Sequence, residues 1–198
     1  MSCDVRTLTF RAPLVFPATA DRITVRPMSP ADRDAVAQLY LDSYPPGVGA
    51  DDLASALEEI AATFTGEYGE LRTDASLVAH IDSTPVGAIF TASRSIWDPD
   101  LNGPFIIDLF VDPTHRGAGA GRALVIAAIH ACLANHDKAL SLRVGEGTSP
   151  QAHSLYAQLG FRPGPSGARS EELLAQNVRV PAMLGELPEH VQVDPPQR

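Results

Sequence analysis

A glycine-rich stretch at 115–124 constrains the fold of this chain more than any other feature of its sequence. It follows an apolar, strand-like run at 105–111 and leads into a helical pattern at 124–133. Glycines at alternate positions leave backbone N–H groups uncovered where a helix begins, and the helix N-terminus adds partial positive charge. Arg116 and Arg122 flank the stretch with guanidinium groups suited to phosphate. The sequence therefore predicts a pyrophosphate-binding loop between a strand and a helix.

Length and composition restrict the class of protein. A chain of 198 residues is long enough to bury one well-packed core and too short for two domains of ordinary size. Its apolar runs are far below the length of a membrane span, and residues 1–20 do not resemble a secretory signal. The formal net charge of -9 argues against a nucleic-acid surface. The two cysteines and the scattered histidines have no disulfide-framework or metal-ligand spacing, so we predict a cytoplasmic protein without a metal.

Hydrophobic periodicity and turn residues predict the order of strands and helices. Ser29 is predicted to cap a first helix, Asp51 or Asp52 to cap a second, and Gly66 to end the second. Later helices are predicted to run to about 134 and over 150–159. Strands are predicted at 8–10 (an extra edge strand), 23–26, 76–81, 86–91, 105–111, 140–144 and 178–184. This order is typical of a mixed α/β or α+β domain, preceded by an extension at 1–20 and followed by a polar tail at 188–198.

Two blocks of the sequence resemble the GNAT superfamily of acyl-CoA-dependent N-acetyltransferases. The loop at 116–121 is similar to the family's Arg/Gln-x-x-Gly-x-Gly/Ala motif, and 152–161 is similar to its Ala-x-x-Leu-Tyr-x-x-x-Gly-Phe block. The opening segment 23–32 also resembles the family's first strand and helix, so the resemblance covers residues 21–187 as one GNAT-like domain. It implies a central mixed, mostly antiparallel sheet with splayed central strands, flanked by helices.

The resemblance also implies acetyl-CoA as co-substrate. The backbone of the splayed strand would pair with the pantetheine arm, the glycine loop would hold the pyrophosphate, and Ser149 stands where the family usually has a coenzyme-contacting asparagine. One backbone N–H, that of Val111, would point at the thioester carbonyl. The implied coenzyme-binding residues are Leu109, Phe110, Val111, Arg116, Gly117, Ala118, Gly119, Ala120, Gly121, Arg122 and Ser149.

Catalytic roles are implied for two side chains. The family places a tyrosine at Tyr156, near the coenzyme sulfur, as the general acid for the leaving thiolate. Asp108 is a candidate general base because its carboxylate interrupts an otherwise apolar strand, although a capping or solvent-facing role is an alternative; Glu146 is a second candidate. Trp97, Tyr40 and Tyr44 border the acceptor cleft in this family, where they either shape the cleft or pack the core.

The predicted function is therefore direct acetyl transfer from acetyl-CoA to a primary amine in a ternary complex. The alternative is a non-catalytic acetyl-CoA-binding or protein-interaction module with the same fold. A dinucleotide-binding loop is disfavoured because Arg122 replaces its third glycine, and a phosphate-binding P-loop because Gly-Lys-Ser/Thr does not occur. The acceptor is left open between small-molecule and protein amines, and the oligomeric state between a monomer and a homodimer.

Overall fold

The computed structural model describes residues 4–11, 14–16, 22–45, 47–145 and 148–164. Its strands are β1 (Asp4–Thr9), β2 (Ile23–Pro27), β3 (Leu77–Ile81), β4 (Thr84–Ala92), β5 (Phe105–Val111), β6 (Ala139–Val144) and β7 (Arg162–Pro163). Its α-helices are α1 (Arg33–Ser43), α2 (Leu53–Thr65), α3 (Ala120–Ala134) and α4 (Pro150–Gln158). Single turns of 3₁₀-helix at Pro30–Asp32 and Pro113–His115 precede α1 and the glycine loop.

The strands form one sheet in the order β2-β3-β4-β5-β6-β1-β7. Every described strand pair is antiparallel except β5 with β6, which is parallel. Helices α3 and α4 contribute to the apolar cluster on one face of the sheet. Helices α1 and α2 contribute to the cluster on the other face. The predicted mixed, mostly antiparallel architecture is confirmed.

Strands β5 and β6 separate in the middle of the sheet. Their parallel pairing consists of Phe105 with Ser141 and Ile106 with Leu142, although β5 continues to Val111. The separation coincides with a bulge, because β4 pairs with Ile106 and then with Asp108, which leaves Ile107 as the extra residue of β5. A bulge bends a strand and increases its local twist. The gap that the resemblance implies between the central strands is therefore present.

Local sequence signals explain several element boundaries. Asp52 caps α2 by accepting from the Ser55 N–H at 2.8 Å, and Gly66 ends that helix in the left-handed region at a φ of +84°. The turn between β3 and β4 is tighter than predicted, because Asp82 and Ser83, at φ of 49° and 69°, make the whole connection. Two central residues with positive φ are typical of a type I′ hairpin turn.

Strand β1 lies inside the sheet, so the predicted extra edge strand at 8–10 is wrong in both position and environment. It spans Asp4–Thr9, pairs with β6 along its whole length and carries β7 on its other side. Its buried side chains, Val5 and Leu8, belong to the clusters on opposite faces of the sheet. Side chains three positions apart on a strand point to opposite faces. Alternating apolar residues mark a strand with one buried face. Val5 and Leu8 do not alternate in this way, so the sequence pattern does not reveal the strand.

Some predicted features lie outside the described residues. These are the strand at 178–184, the tail at 188–198 and the candidate base Glu146. Within the described ranges, no helix combines the length and the apolar character that crossing a bilayer requires.

Candidate active site

The glycine loop presents a set of backbone donors at the start of α3. Gly117 and Gly119 have φ of +82° and +100°, and a Cβ at Gly117 would meet open space. Within the described part of the chain, the amides of Gly117, Gly119 and Gly121 donate no hydrogen bond to protein. The first amides of a helix have no intrahelical acceptor, and the helix dipole favours an anion beside them. The geometry fits a diphosphate, as the sequence predicts.

The loop is held close to β5 and α4. A Cβ at Gly121 would lie 3.6 Å from Val111 Cγ2 and 3.8 Å from Leu155 Cδ2. The end of β5, the first turn of α3 and the inner side of α4 therefore meet around one residue without a side chain. The loop therefore adjoins the end of β5, beyond the residues of that strand that pair with β6.

The two arginines of the loop have different surroundings. The Arg116 guanidinium donates from Nη2 to the Ser43 carbonyl at 2.6 Å and from Nε to the Val111 carbonyl at 3.1 Å. Its side chain thus binds protein carbonyls at the end of α1 and of β5, which differs from the predicted use of this guanidinium on a phosphate. Arg122, on the first turn of α3, forms no hydrogen bond or ion pair with other described residues. The Arg116 backbone N–H also donates, to the Pro113 carbonyl at 3.4 Å, so of the two arginines it is Arg122 whose side chain is available for a phosphate.

The backbone of β5 beyond the bulge presents a limited set of groups to the gap. The Asp112 N–H donates to the Val86 carbonyl of β4 at 3.0 Å. Because the main-chain groups of successive strand residues point to opposite edges, Phe110 also faces β4, whereas Leu109 and Val111 face the gap. The Leu109 N–H is already bound by the Asp108 carboxylate at 2.7 Å. The backbones of Leu109, Phe110 and Val111 were predicted to contact the coenzyme. The groups among them that face the gap and are available to a ligand are the Val111 N–H and the Leu109 carbonyl.

Asp108 is a buried carboxylate, with 4% of its surface exposed. Its Oδ1 accepts a hydrogen bond from Tyr44 Oη at 2.6 Å and another from the Leu109 N–H. Burial and, to a smaller extent, the nearby Glu59 raise the pKa of Asp108, the two hydrogen bonds lower it, and the net result is a pKa of about 7. The solvent-facing alternative for Asp108 is wrong. A carboxyl group poised near neutral pH is suited to proton transfer.

Tyr156 is buried on α4, with its ring centroid 5.8 Å from that of Phe161. Ser149 caps the N-terminus of α4, and its hydroxyl oxygen accepts from the Ala152 N–H at 3.2 Å. Burial raises the pKa of the Tyr156 phenol, and the negative charge of Asp108 raises it further. Burial and the charge of Asp108 likewise raise the pKa of the Tyr44 phenol, and Tyr156 raises it further. Tyr44, Asp108 and Tyr156, from three separate elements, therefore form one electrostatic cluster in which the phenols stay protonated at neutral pH.

The aromatic residues predicted to border the acceptor cleft fall into two groups. Tyr40 and Tyr44 pack edge to face with centroids 5.2 Å apart, and both pack against Phe110 beside Asp108. Trp97 is 2% exposed and packs against Tyr68 and Phe105. The tyrosines therefore form a wall next to the buried carboxylate, and Trp97 belongs to the core.

A buried ion pair that the sequence analysis missed lies on the open part of β6. Arg143 donates from Nη2 to Asp98 Oδ1 at 2.7 Å and from Nε to Asp98 Oδ2 at 2.9 Å. Both side chains are at most 2% exposed, and Ser95 Oγ also donates to Asp98. The ion pair links the connection between β4 and β5, which carries Asp98, to the part of β6 that is separated from β5. An arginine within the apolar strand 139–144 is the signal that would have revealed it.

Replacing Arg143 with methionine is expected to lower the free energy of unfolding by about 3–5 kcal/mol, because it leaves the Asp98 charge buried without its main partner. Arg22→Met, at a pair with Asp82 whose side chains are 76% and 80% exposed, is the control and should change stability by about 1 kcal/mol or less. Denaturant unfolding measures both changes. Equal effects of the two substitutions would contradict a stabilising role for the buried pair.

Among the described residues no cluster of histidine, cysteine or carboxylate side chains has the arrangement of a metal site. The groups that the site brings together are the backbone donors of the loop and of β5, the Asp108 carboxylate and the phenols of Tyr44 and Tyr156.

Sequence comparison adds a family to this geometry. The family model described as the acetyltransferase (GNAT) family matches residues 33–161. An uncharacterized N-acetyltransferase of Archaeoglobus fulgidus is 29% identical over 143 residues, which cover 71% of this chain and 94% of that protein.

Structural comparison agrees at the level of the fold. A GCN5-related N-acetyltransferase from Sphaerobacter thermophilus matches with a TM-score of 0.61 at 18% identity, over 82% of this chain. The match covers 48% of that protein, so this chain spans about half its length. The aminoglycoside acetyltransferase AAC(6')-Iy, in complex with a CoA bisubstrate analogue, matches with a TM-score of 0.56 at 15% identity, over 73% of this chain and 94% of that one.

Proposed function

The chain belongs to the acetyltransferase (GNAT) family, and on that premise we propose that it transfers an acetyl group from acetyl-CoA to a primary amine. When bound, acetyl-CoA supplies the thioester whose acyl carbon is attacked. The observation that carries the proposal is the gap between β5 and β6, which opens at the donor-lined glycine loop and has Asp108 beside it. Tyr156 lies in the same electrostatic cluster as Asp108.

The glycine loop and β5 are proposed to bind the coenzyme. The uncovered amides of the loop and the Arg122 guanidinium take the diphosphate, and Ser149 remains a proposed contact through its hydroxyl proton. The Leu109 carbonyl accepts from an amide of the pantetheine arm as an added strand would. The Val111 N–H then points to the position where negative charge develops on the carbonyl oxygen. A donor preorganised in this way lowers the activation free energy by about 2.7–4 kcal/mol.

Asp108 is proposed as the general base. A lysine-type amine has a pKa of about 10.4 and enters as the ammonium form, so a proton must leave before or during attack. An ionised carboxylate with a pKa of about 7 accepts that proton, directly or through one water. Because the base must be ionised, kcat/KM is expected to rise with pH and to level off above about 7 in the free enzyme.

Tyr156 is proposed to donate a hydrogen bond to the departing sulfur. Burial keeps its hydroxyl protonated, which makes it a donor throughout the neutral range. Even an unperturbed phenol, with a pKa of about 10, is a weaker acid than a thiol at about 8.5. Complete proton transfer is therefore uphill, and the contribution of Tyr156 is stabilisation of the leaving group.

Direct attack within a ternary complex is proposed in preference to an acetylated enzyme. Cys132, the free cysteine among the described residues, is fully buried, and burial raises the pKa of its thiol to about 12. A thiol in that environment is not a nucleophile at neutral pH.

Tyr156→Phe is the substitution that tests the proposal. It should lower kcat by roughly tenfold to a thousandfold and change the Kd of acetyl-CoA by less than about twofold, because the phenol acts only when the sulfur leaves. Tyr68→Phe, which removes a phenol oxygen from a ring stacked on Trp97, is the matched control and should keep wild-type kcat. Thiol release from acetyl-CoA over a panel of amines measures kcat, and calorimetry measures Kd.

The same panel separates the enzyme from the non-catalytic module. Coenzyme binding by the wild-type protein without thiol release for any amine class would favour the module. A wild-type kcat in the Tyr156→Phe variant, with chemistry shown to be rate-limiting, would remove Tyr156 from the mechanism.

A further inference from the structure

The end of α1 is attached to the site at two consecutive residues. The Ser43 carbonyl accepts from the Arg116 guanidinium at 2.6 Å, and the Tyr44 hydroxyl donates to the Asp108 carboxylate at the same distance. Arg116 also holds the Val111 carbonyl, so its side chain connects α1 with the strand that carries Asp108. Residues separated by 64 and 73 positions in the chain are thereby joined at the site.

Packing leaves Tyr44 little freedom to turn away from Asp108. Its ring lies against Tyr40 and Phe110 on one side, with centroids 5.2 and 6.2 Å apart. The following loop also passes so close that a Cβ at Gly49 would lie 2.9 Å from Tyr44 Cβ. The phenol is therefore preorganised toward the carboxylate, and its hydrogen bond costs little ordering entropy.

We propose, resting on the function proposed above, that Tyr44 is a positioning residue that orients the Asp108 carboxylate toward the amine, and that Arg116 anchors Tyr44 through Ser43. The Oδ1 atom of Asp108 receives both hydrogen bonds, from Tyr44 and from the Leu109 N–H. Oδ2 is thus the oxygen left for the amine proton. Fixing one oxygen with two donors selects the rotation of the carboxylate group.

The same contact also tunes the ionisation of Asp108. A hydroxyl donor stabilises the ionised carboxylate more than the protonated acid, so it opposes the effect of burial on the pKa. The titratable groups that face Asp108 are Tyr44 from the end of α1, Glu59 from α2 and Tyr156 from α4. Tyr44 is the one that hydrogen-bonds the carboxylate and lowers its pKa, whereas Glu59 raises that pKa. Loss of the Tyr44 hydroxyl should therefore raise the pKa of Asp108.

The test is a ¹³C NMR titration of the Asp108 carboxyl in the coenzyme-free protein, compared between the wild type and Tyr44→Phe. Hydrogen bonds to charged groups have free energies equivalent to about one to two pH units, so the pKa should move from about 7 to about 8 or higher. The acid limb of the kcat/KM profile should move by the same amount. Tyr68→Phe, the matched control, should leave both unchanged. An Asp108 pKa that stays at its wild-type value in Tyr44→Phe would overturn the proposal.

Arg116→Gln provides a second, independent variant in case Tyr44→Phe folds poorly. It removes the guanidinium that holds Ser43 and keeps the backbone amide of the loop. The pKa of Asp108 should rise again, by less than in Tyr44→Phe, and the amide signals of Ser43 and Tyr44 should shift. No movement of either readout would overturn the anchoring role of Arg116. Failure of the general-base assignment is distinguishable, because Asp108→Asn would then retain kcat while the NMR shifts in Tyr44→Phe persisted.

Discussion

Asp108→Asn is expected to lower kcat for amine acetylation by about a hundredfold to ten-thousandfold at pH 8, and at that pH to stabilise the fold. The loss follows from the proposed proton transfer, because an asparagine amide has the shape of the protonated acid and cannot accept the ammonium proton. Tyr44 can still donate to the amide oxygen, so the geometry of the cluster is preserved. Steady-state kinetics with the best amine of the panel measures the loss.

The gain in stability follows from linkage. The carboxyl of Asp108 has a pKa near 3.8 in the unfolded chain and about 7 in the folded protein. Between these values the folded state holds the proton and the unfolded state does not, so the free energy of unfolding falls as pH rises. Above about pH 7 the full cost is present and amounts to about 4 kcal/mol. Asparagine removes this cost.

Thermal unfolding of Asp108→Asn and wild type across pH separates the two effects. The variant should have the higher Tm at pH 8, and the difference should shrink as the pH falls below 7 and disappear toward about pH 3, where Asp108 is protonated in both states. Asp42→Asn, at an exposed position on α1, is a control that should not show this pattern. A variant less stable than wild type at pH 8 would contradict the assignment of Asp108 as a destabilising, ionised carboxylate.

Gly119→Val is expected to weaken acetyl-CoA binding by more than about a hundredfold. The residue caps the N-terminus of α3 at a φ of +100°, a conformation in which a β-branched side chain is strained. Relief of that strain turns the amides of the loop away from the diphosphate, and several charge-assisted hydrogen bonds are lost together. Isothermal calorimetry measures the Kd.

Gly103→Val is the matched control for backbone strain. Gly103 has a similar φ of +104° but lies in the connection between β4 and β5, beside the Ala139 carbonyl. This variant should lose stability and keep coenzyme affinity. Equal losses of affinity in the two variants would show that strain in general, rather than the loop amides, explains the result.

Features that depend on residues close in sequence were predictable. The cap at Asp52, the stop at Gly66 and the glycine loop each follow from a few adjacent residues and their backbone preferences. The separation of β5 and β6 was available only through the resemblance to the family, because nothing in the apolar run 105–111 distinguishes paired from unpaired residues.

Features that join distant residues were not predictable. Tyr44 and Asp108 are 64 positions apart, and Asp98 and Arg143 are 45 apart. Neither pair has a spacing or a periodicity that a single sequence can reveal. The contact of the Arg116 side chain with Ser43 was not predictable for the same reason, since its acceptor lies in another element. The pKa of Asp108 follows from burial, which is a property of the packed fold.

The uncovered amides of the glycine loop are expected to bind the diphosphate of acetyl-CoA. A titration of ¹⁵N-labelled protein with acetyl-CoA, and in parallel with S-acetylpantetheine, which lacks the diphosphate, tests it directly. With acetyl-CoA the amide signals of Gly117, Gly119 and Gly121 should shift strongly and gain protection from hydrogen exchange, whereas S-acetylpantetheine should perturb amides of β5, that of Val111 included, and leave the loop amides unshifted. Loop amides that remain unshifted at saturating acetyl-CoA would show that the diphosphate does not bind there.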